Sequence, residues 1–418
     1  MGLPLLLGLL LSRTGGFLAL SPEQPNNCIT AESLCVADPA CNDTYRILEN
    51  CSKSNLLSLG HEARNRCLEA ETVIKNYNFQ GCKCHRRTRK QEEQCLRIYW
   101  SVHSTLTPGD FRFEASPYED VGNEELSKSK YSKLAATLVS GPGIAGDNPS
   151  ACLHIAQICH LDHKCVRLRT SYVSTCTAEH PCDLRKCHRG LRHFFERVNM
   201  DFTKRLLFCP CQDELCGERR RNTIVPECSF QSSTQPNCLL LLDSCLRDNV
   251  CKSRLADFQE HCRPSGTSSD GCSQSSHAAC LEAYMGMIGT SMTPNYISNS
   301  SVDVTLWCSC ENSGNRKEDC DQILGSFASN KCLRNAIQSQ MNLDQVNTEY
   351  QEELQFTPSI NIQGDGTSTV LTAKMVWEHA EKIKPEVLMP NGISFSNSAQ
   401  LSSLTVTVTF FVLLLVSL

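Results

Sequence analysis

The apolar positions of this chain recur at helical spacing. After Cys187 they fall at Leu191, Phe194, Phe195 and Val198, positions i, i+3, i+4 and i+7, which is one face of an α-helix. The opposite face carries Arg185, Arg189, Arg192 and Arg197. The runs Leu153 to Leu161 and Val166 to Thr175 are also helix-compatible, and no stretch alternates clearly enough to read as a half-buried strand. The pattern predicts an all-α fold of small helical modules.

Two apolar runs stand apart from this pattern. Leu3 to Leu11 is short and is followed by Ser, Thr and Gly, the layout of a signal peptide. We assign it to residues 1–20, with cleavage between Gly15 and Ser21. Leu404 to Leu418 is uncharged, stops at the terminus and is shorter than the roughly 20 residues a spanning helix needs. Small residues and a polar spacer precede it, the arrangement of a GPI-anchor signal. Attachment near Asn397 removes 398–418, and Asn391 would give a longer spacer. The protein is thus expected on the outer face of the plasma membrane, held by lipid.

Cysteine changes the picture most. The chain has 28 among 418 residues, with aromatics at only 6%. Such density in a secreted chain reads as a disulfide framework. The spacing repeats. Cys28, Cys35, Cys41 and Cys51 are matched by Cys152, Cys159, Cys165 and Cys176, and again by Cys238, Cys245, Cys251 and Cys262, each set followed later by a Cys-x-Cys. The modules are 28–95, 152–228 and 238–332. A linker, 96–151, joins the first two, and its Gly/Pro stretch from Ser140 to Pro149 predicts mobility. Nine residues join the second and third, which predicts that these two pack as a pair. Residues 333–397 hold no cysteine and read as a flexible stalk. Module 1 has eight cysteines where the others have ten. The missing positions correspond to Cys182 and Cys228, and a bridge is lost as a unit, so Cys182 is expected to pair with Cys228 and Cys272 with Cys332. The Cys-x-Cys pairs lack the Cys-x-x-Cys spacing of zinc knuckles, so no metal is expected.

Asn42-Asp-Thr44 and Asn299-Ser-Ser301 are N-glycosylation sequons. The net charge of −5 hides an asymmetry. Module 2 has 13 Lys/Arg against 9 Asp/Glu, and module 3 has 7 against 11. Module 2 should therefore meet acidic partners. Two basic groups stand out: Arg219-Arg220-Arg221 after Cys216, and the helical stripe Arg185, Arg189, Arg192 and Arg197. His160 and His163 read as a surface turn in a small bridged loop. No G-x-S-x-G, H-E-x-x-H or phosphate loop is present, and bridged thiols are not nucleophiles, so neither an enzyme nor a cofactor site is expected. Nothing points to nucleic acid.

Several blocks carry a resemblance. They are Cys95-Leu-Arg-Ile-Tyr-Trp-Ser101, Ser116-Pro-Tyr-Glu119, Arg185-Lys-Cys-His188, Leu207-Phe-Cys209, Glu218-Arg-Arg-Arg221, Thr223-Ile-Val-Pro226, Ser253-Arg-Leu-Ala-Asp-Phe258, Met292-Thr-Pro-Asn-Tyr-Ile297 and Cys332-Leu-Arg-Asn-Ala-Ile-Gln338. With the cysteine framework they resemble the GDNF family receptor alpha chains across residues 28–338. The resemblance implies a GPI-anchored co-receptor that binds a dimeric GDNF-family growth factor and presents it to the RET receptor tyrosine kinase. It implies growth-factor contacts at Arg169, Val173, Arg219 and Arg220, with Val225 beside them. His160 stands where the family has asparagine, and Val173 where it has isoleucine. A heparan-sulfate stripe is implied at Arg185, Arg189, Arg192, His193 and Arg197. The implied pairing in module 2 is Cys152–Cys209, Cys159–Cys165, Cys176–Cys187, Cys182–Cys228 and Cys211–Cys216. Carried to module 1 it gives Cys28–Cys82, Cys35–Cys41, Cys51–Cys67 and Cys84–Cys95. In module 3 it gives Cys238–Cys308, Cys245–Cys251, Cys262–Cys280, Cys272–Cys332 and Cys310–Cys320. The alternative function is an adhesion or heparan-sulfate-binding surface protein acting without RET.

Overall fold

The computed structural model describes residues 27–53, 60–86, 89–103, 111–113, 115–119, 133–135, 151–178, 181–230, 235–266, 268, 271–273 and 276–353. The leader, the anchor signal with Asn391 and Asn397, the stretch 140–149 and the stalk beyond 353 lie outside these.

Every module opens with the same helix hairpin. In module 1 it is α1 (Cys28–Ala37) and α2 (Pro39–Lys53), in module 2 α5 (Ala151–Leu161) and α6 (His163–Thr177), and in module 3 α11 (Cys238–Arg247) and α12 (Asn249–His261). One aspartate makes each turn. Asp38 Oδ1 accepts from Ala40 N at 2.8 Å, Asp162 Oδ1 from Cys165 N at 2.7 Å, and Asp248 Oδ1 from Val250 N at 2.9 Å. These side chains satisfy amides left orphaned at a helix start, worth about 1 kcal/mol each. The bridges Cys35–Cys41, Cys159–Cys165 and Cys245–Cys251 close the same turns.

The rest of each module packs on its hairpin. Module 1 adds α3 (His61–Ile74) and α4 (Arg89–Val102). Module 2 adds α7 (Leu184–Arg197), α8 (Met200–Phe208), α9 (Glu214–Arg221), a 3-10 turn (Asn222–Ile224) and α10 (Pro226–Ser229). Module 3 adds α13 (His277–Met287), α14 (Lys317–Ala328) and α15 (Lys331–Glu353). It also carries a two-stranded antiparallel sheet, β1 (Pro294–Tyr296) with β2 (Val304–Leu306), Asn295 opposite Thr305. Strands of three residues are too short to show an alternating pattern, so the sequence did not reveal them. The fold is all-α and disulfide-rich otherwise. No described cysteine is free, and Cys182–Cys228 and Cys272–Cys332 are the bridges with no counterpart in module 1. The predicted face of α7 is inward, with Leu191 and Phe194 fully buried and Val198 nearly so.

Two expected boundaries are corrected. The linker does not begin at 96, because α4 continues to Val102 with Leu96, Ile98, Tyr99, Trp100 and Val102 buried. The stalk does not begin at 333, because α15 continues to Glu353, with Leu333, Ala336, Ile337 and Met341 in the core at helical spacing.

Module 1 is also not loosely tethered, since it docks on α12 of module 3. Trp100 Nε1 donates to Ser253 Oγ at 2.7 Å, and Lys252 Nζ lies 3.9 Å from the centre of the Trp100 ring. Ser116 Oγ donates to Asp257 Oδ1 at 2.7 Å, Phe113 N donates to Gln259 Oε1 at 2.9 Å, and Arg86 pairs with Asp257. Arg254 Nη2 donates to Glu92 Oε1 at 2.8 Å. Trp100→Ala should remove about 3 kcal/mol from this interface. The chain should then be cleaved faster by protease between 104 and 150, and its hydrodynamic radius should grow, while modules 2 and 3 melt as before. An unchanged radius and cleavage rate would show that Trp100 does not hold module 1.

Candidate ligand-binding surface

The residues singled out on module 2 separate into three groups. His160, Arg169 and Val173 sit on the α5–α6 hairpin. His160 and its neighbour Leu161 are exposed, Leu161 by 46%, and Val173 is half-buried. Partial burial, and then the nearby Arg169 guanidinium, hold the His160 imidazole below its usual value. The helix is fixed from behind, where Tyr172 is buried and its hydroxyl donates to Thr223 O at 2.8 Å. Gly190 on α7 allows the close approach, since an added Cβ would lie 3.1 Å from Tyr172 Cβ. A cationic, partly apolar face results, suited to an acidic and apolar protein surface.

The second group corrects an expectation. Arg220 is 3% exposed. Its Nη1 donates to Cys209 O at 3.2 Å and its Nη2 to Ser301 O at 2.9 Å, and the guanidinium lies 4.1 Å from the centre of the Tyr296 ring. It therefore pins module 2 to module 3 and cannot meet an outside carboxylate. Arg221 does similar work, donating to Tyr296 O at 3.2 Å and to Asn299 Oδ1 at 3.1 Å. Val225 is 2% exposed and adopts a left-handed backbone, φ 50°, at the corner before Pro226. That conformation is strained for a β-branched residue, so Val225 shapes the turn that sets Cys228 for its bridge and is no ligand contact. Arg219 keeps partial exposure, as does Arg221, and the Arg219 Nη1 is buried with no acceptor among the described residues. A signal for the seam was present in Gly217, a glycine inside a short helix, which often marks close backbone approach. A Cβ there would fall 1.7 Å from Asn299 O.

The third group is the α7 stripe. Arg185, Arg189, His193 and Arg197 are exposed, and Arg192 is half-buried. Asp183 caps the helix, accepting from Lys186 N at 3.0 Å. Gly289 of module 3, at φ +82°, presses against its backbone, since a Cβ would lie 2.5 Å from His188 O and 2.7 Å from Arg192 N. Like charges four residues apart cost such a helix a few tenths of a kcal/mol per pair, so the row is not there for folding.

Sulfurs of adjacent bridges, such as Cys152, Cys211 and Cys216, lie within 4.8 Å of one another. All are disulfide-bonded and offer no thiolate to a metal. No described helix is long and apolar enough to cross a membrane.

The comparisons with known proteins fit this architecture. The GDNF/GAS1 domain family matches residues 28–106, 152–228 and 238–332. The class is therefore a chain of three GDNF/GAS1 domains. GDNF family receptor alpha-2 of Gallus gallus is 38% identical over 385 residues, covering 86% of this chain and 81% of that one. GDNF family receptor alpha-3 of Homo sapiens is 40% identical over 321 residues, covering 76% and 77%. GDNF family receptor alpha-4 of Rattus norvegicus is 42% identical over 196 residues, covering 45% and 72%. A solved growth factor/receptor complex contains a chain with 43% identity and a TM-score of 0.45, covering 48% of this chain and 99% of that one. The chain belongs to the GDNF family receptor alpha family, whose members are receptors and not enzymes.

One residue of α7 yields a pH prediction. Burial, and then the Arg192 guanidinium, lower the His188 imidazole to about 4, and its Nε2 is buried without a partner among the described residues. The unfolded chain takes up this proton first as pH falls, so stability drops between the ordinary value near 6.5 and 4 and then levels. The expected loss is about 2 kcal/mol from pH 7 to pH 5. His188→Gln should flatten that slope in denaturant titrations, and an equally steep slope in the variant would assign it elsewhere.

Proposed function

We propose that this protein is a GPI-anchored cell-surface receptor that captures a dimeric GDNF-family growth factor on module 2 and presents it to the RET receptor tyrosine kinase. A lipid-anchored chain has no cytosolic part, so a signal needs such a partner. Family membership supports the growth-factor partner, and the apolar run at 404–418 with its polar spacer supports the anchor.

The observation that carries the site is the different fate of three equivalent helices. In module 3 the α12 face is covered by module 1, through Ser253, Asp257 and Gln259. In module 1 the α2 face carries the sequon at Asn42, and a glycan there would keep proteins off. The second sequon, Asn299, sits at the module 2–module 3 seam against Gly217. In module 2 the hairpin keeps His160 of α5 exposed and Arg169 and Val173 of α6 partly exposed, a cationic surface among the described residues. Arg169 would pair with an acidic residue of the growth factor, Val173 would receive an apolar one, and Arg219 would lie at the margin. The α7 stripe Arg185, Arg189, Arg192, His193 and Arg197 would hold heparan sulfate, because its charges repel one another without a polyanion.

The test uses the full chain on cells bearing RET, with GDNF, neurturin, artemin and persephin as probes. Arg169→Glu should weaken growth-factor binding by about tenfold or more and reduce RET phosphorylation in step, with the chain still folded by circular dichroism. Arg220→Met should instead lower the melting temperature. Full binding by Arg169→Glu would remove α6 from the site.

A further inference from the structure

The three modules meet at one buried side chain. Arg254 of α12 is 2% exposed. Its Nη2 donates to Glu92 Oε1 of module 1 at 2.8 Å and to Glu196 Oε1 of module 2 at 3.1 Å. The Tyr118 ring lies 4.7 Å from its guanidinium, and the Tyr118 hydroxyl donates to the same Glu92 oxygen at 2.8 Å. Gly286 leaves room for its stem, since a Cβ there would lie 3.3 Å from Arg254 Cδ. Glu92 and Tyr118 both belong to the docked part of module 1, so that docking closes the site around the guanidinium.

Glu196 is the only carboxylate in α7, from Leu184 to Arg197. It sits three residues from His193 and four from Arg192, within reach of both along the helix. One of its oxygens is engaged by Arg254 while the side chain stays partly exposed. Released, it would pair with Arg192 and His193 and cancel one charge of the stripe.

We propose that Arg254 is a positioning residue through which the docking of module 1 sets the charge of module 2's cationic helix face, and so its grip on a sulfated polysaccharide. With module 1 seated, Glu92 and Tyr118 hold the guanidinium so that one Nη2 proton faces Glu196. With module 1 lifted, water replaces both, the guanidinium is no longer held, and Glu196 turns to Arg192 and His193. Module 1 thereby acts on a surface it does not cover. This rests on the reading of α7 as a polyanion site.

The experiment compares the full wild-type chain with Glu92→Gln, Glu196→Gln and the double variant, using heparin as the probe at 0.15 M salt. Amide exchange is followed in parallel over residues 193–198. Glu92→Gln should weaken heparin binding about threefold, the effect of one partly screened charge, and should speed exchange in the last turn of α7. In the Glu196→Gln background, Glu92→Gln should no longer change heparin affinity, because the carboxylate that would return to the stripe is gone. Trp100→Ala loosens module 1 without touching the partners of Arg254 and should give the same loss, which guards against misfolding of the Glu92 variant. The proposal is overturned if Glu92→Gln leaves exchange at 193–198 unchanged, or if its effect on heparin persists in full beside Glu196→Gln. If the wild-type chain does not bind heparin, the polyanion reading falls, and the exchange data still decide whether Arg254 links module 1 to α7.

Discussion

A disulfide closes the turn between the first two helices of each module, and an aspartate inside that loop caps the second helix. Cys35–Cys41, Cys159–Cys165 and Cys245–Cys251 all have a sequence separation of 6. Closing so short a loop stabilises the fold by about 2 kcal/mol through the unfolded chain, and the cap adds about 1. For modules this small, and this poor in aromatic residues, such local terms stand in for a larger core. They fix the direction of the second helix, on which the proposed growth-factor site is built. The same element becomes an internal docking face in module 3 and a partly exposed cationic surface in module 2.

The modules are joined by arginines with quite different partners. Arg220 is held by carbonyl oxygens and the Tyr296 ring, and Arg254 by two carboxylates and the Tyr118 ring. Both are buried, and removing the partner of a buried charge is costly. The relative placement of the modules is therefore specified by a few polar contacts and not by apolar area alone. Close backbone approaches at Gly217 and Gly289 add a steric constraint, since neither position tolerates a side chain without movement.

Local structure was legible in the sequence, and contacts between modules were not. The period at Leu191, Phe194 and Val198 gave α7 and its buried face. The aspartates Asp38, Asp162 and Asp248, midway between paired cysteines, were a visible capping signal that the cysteine count overshadowed. Arg219-Arg220-Arg221 could be read only as a basic group meeting acidic partners or solvent, because nothing in the triplet tells which guanidinium faces Tyr296. Trp100 and Ser253 are 153 residues apart, and no local pattern reports such a pairing. The stripe Leu333, Ala336, Ile337 and Met341 was present but lay in a segment whose polar composition suggested a stalk.

The central claim is that the growth factor meets the second helix of module 2 and leaves its counterparts alone. A hydrogen-exchange footprint of the full glycosylated chain, saturated with the growth factor it binds best, tests this directly. The account predicts new protection in the α5–α6 hairpin around 157–174 and none in α12 at 249–261. Protection confined to α12 or α2, with the α6 segment exchanging as in the free chain, would contradict it.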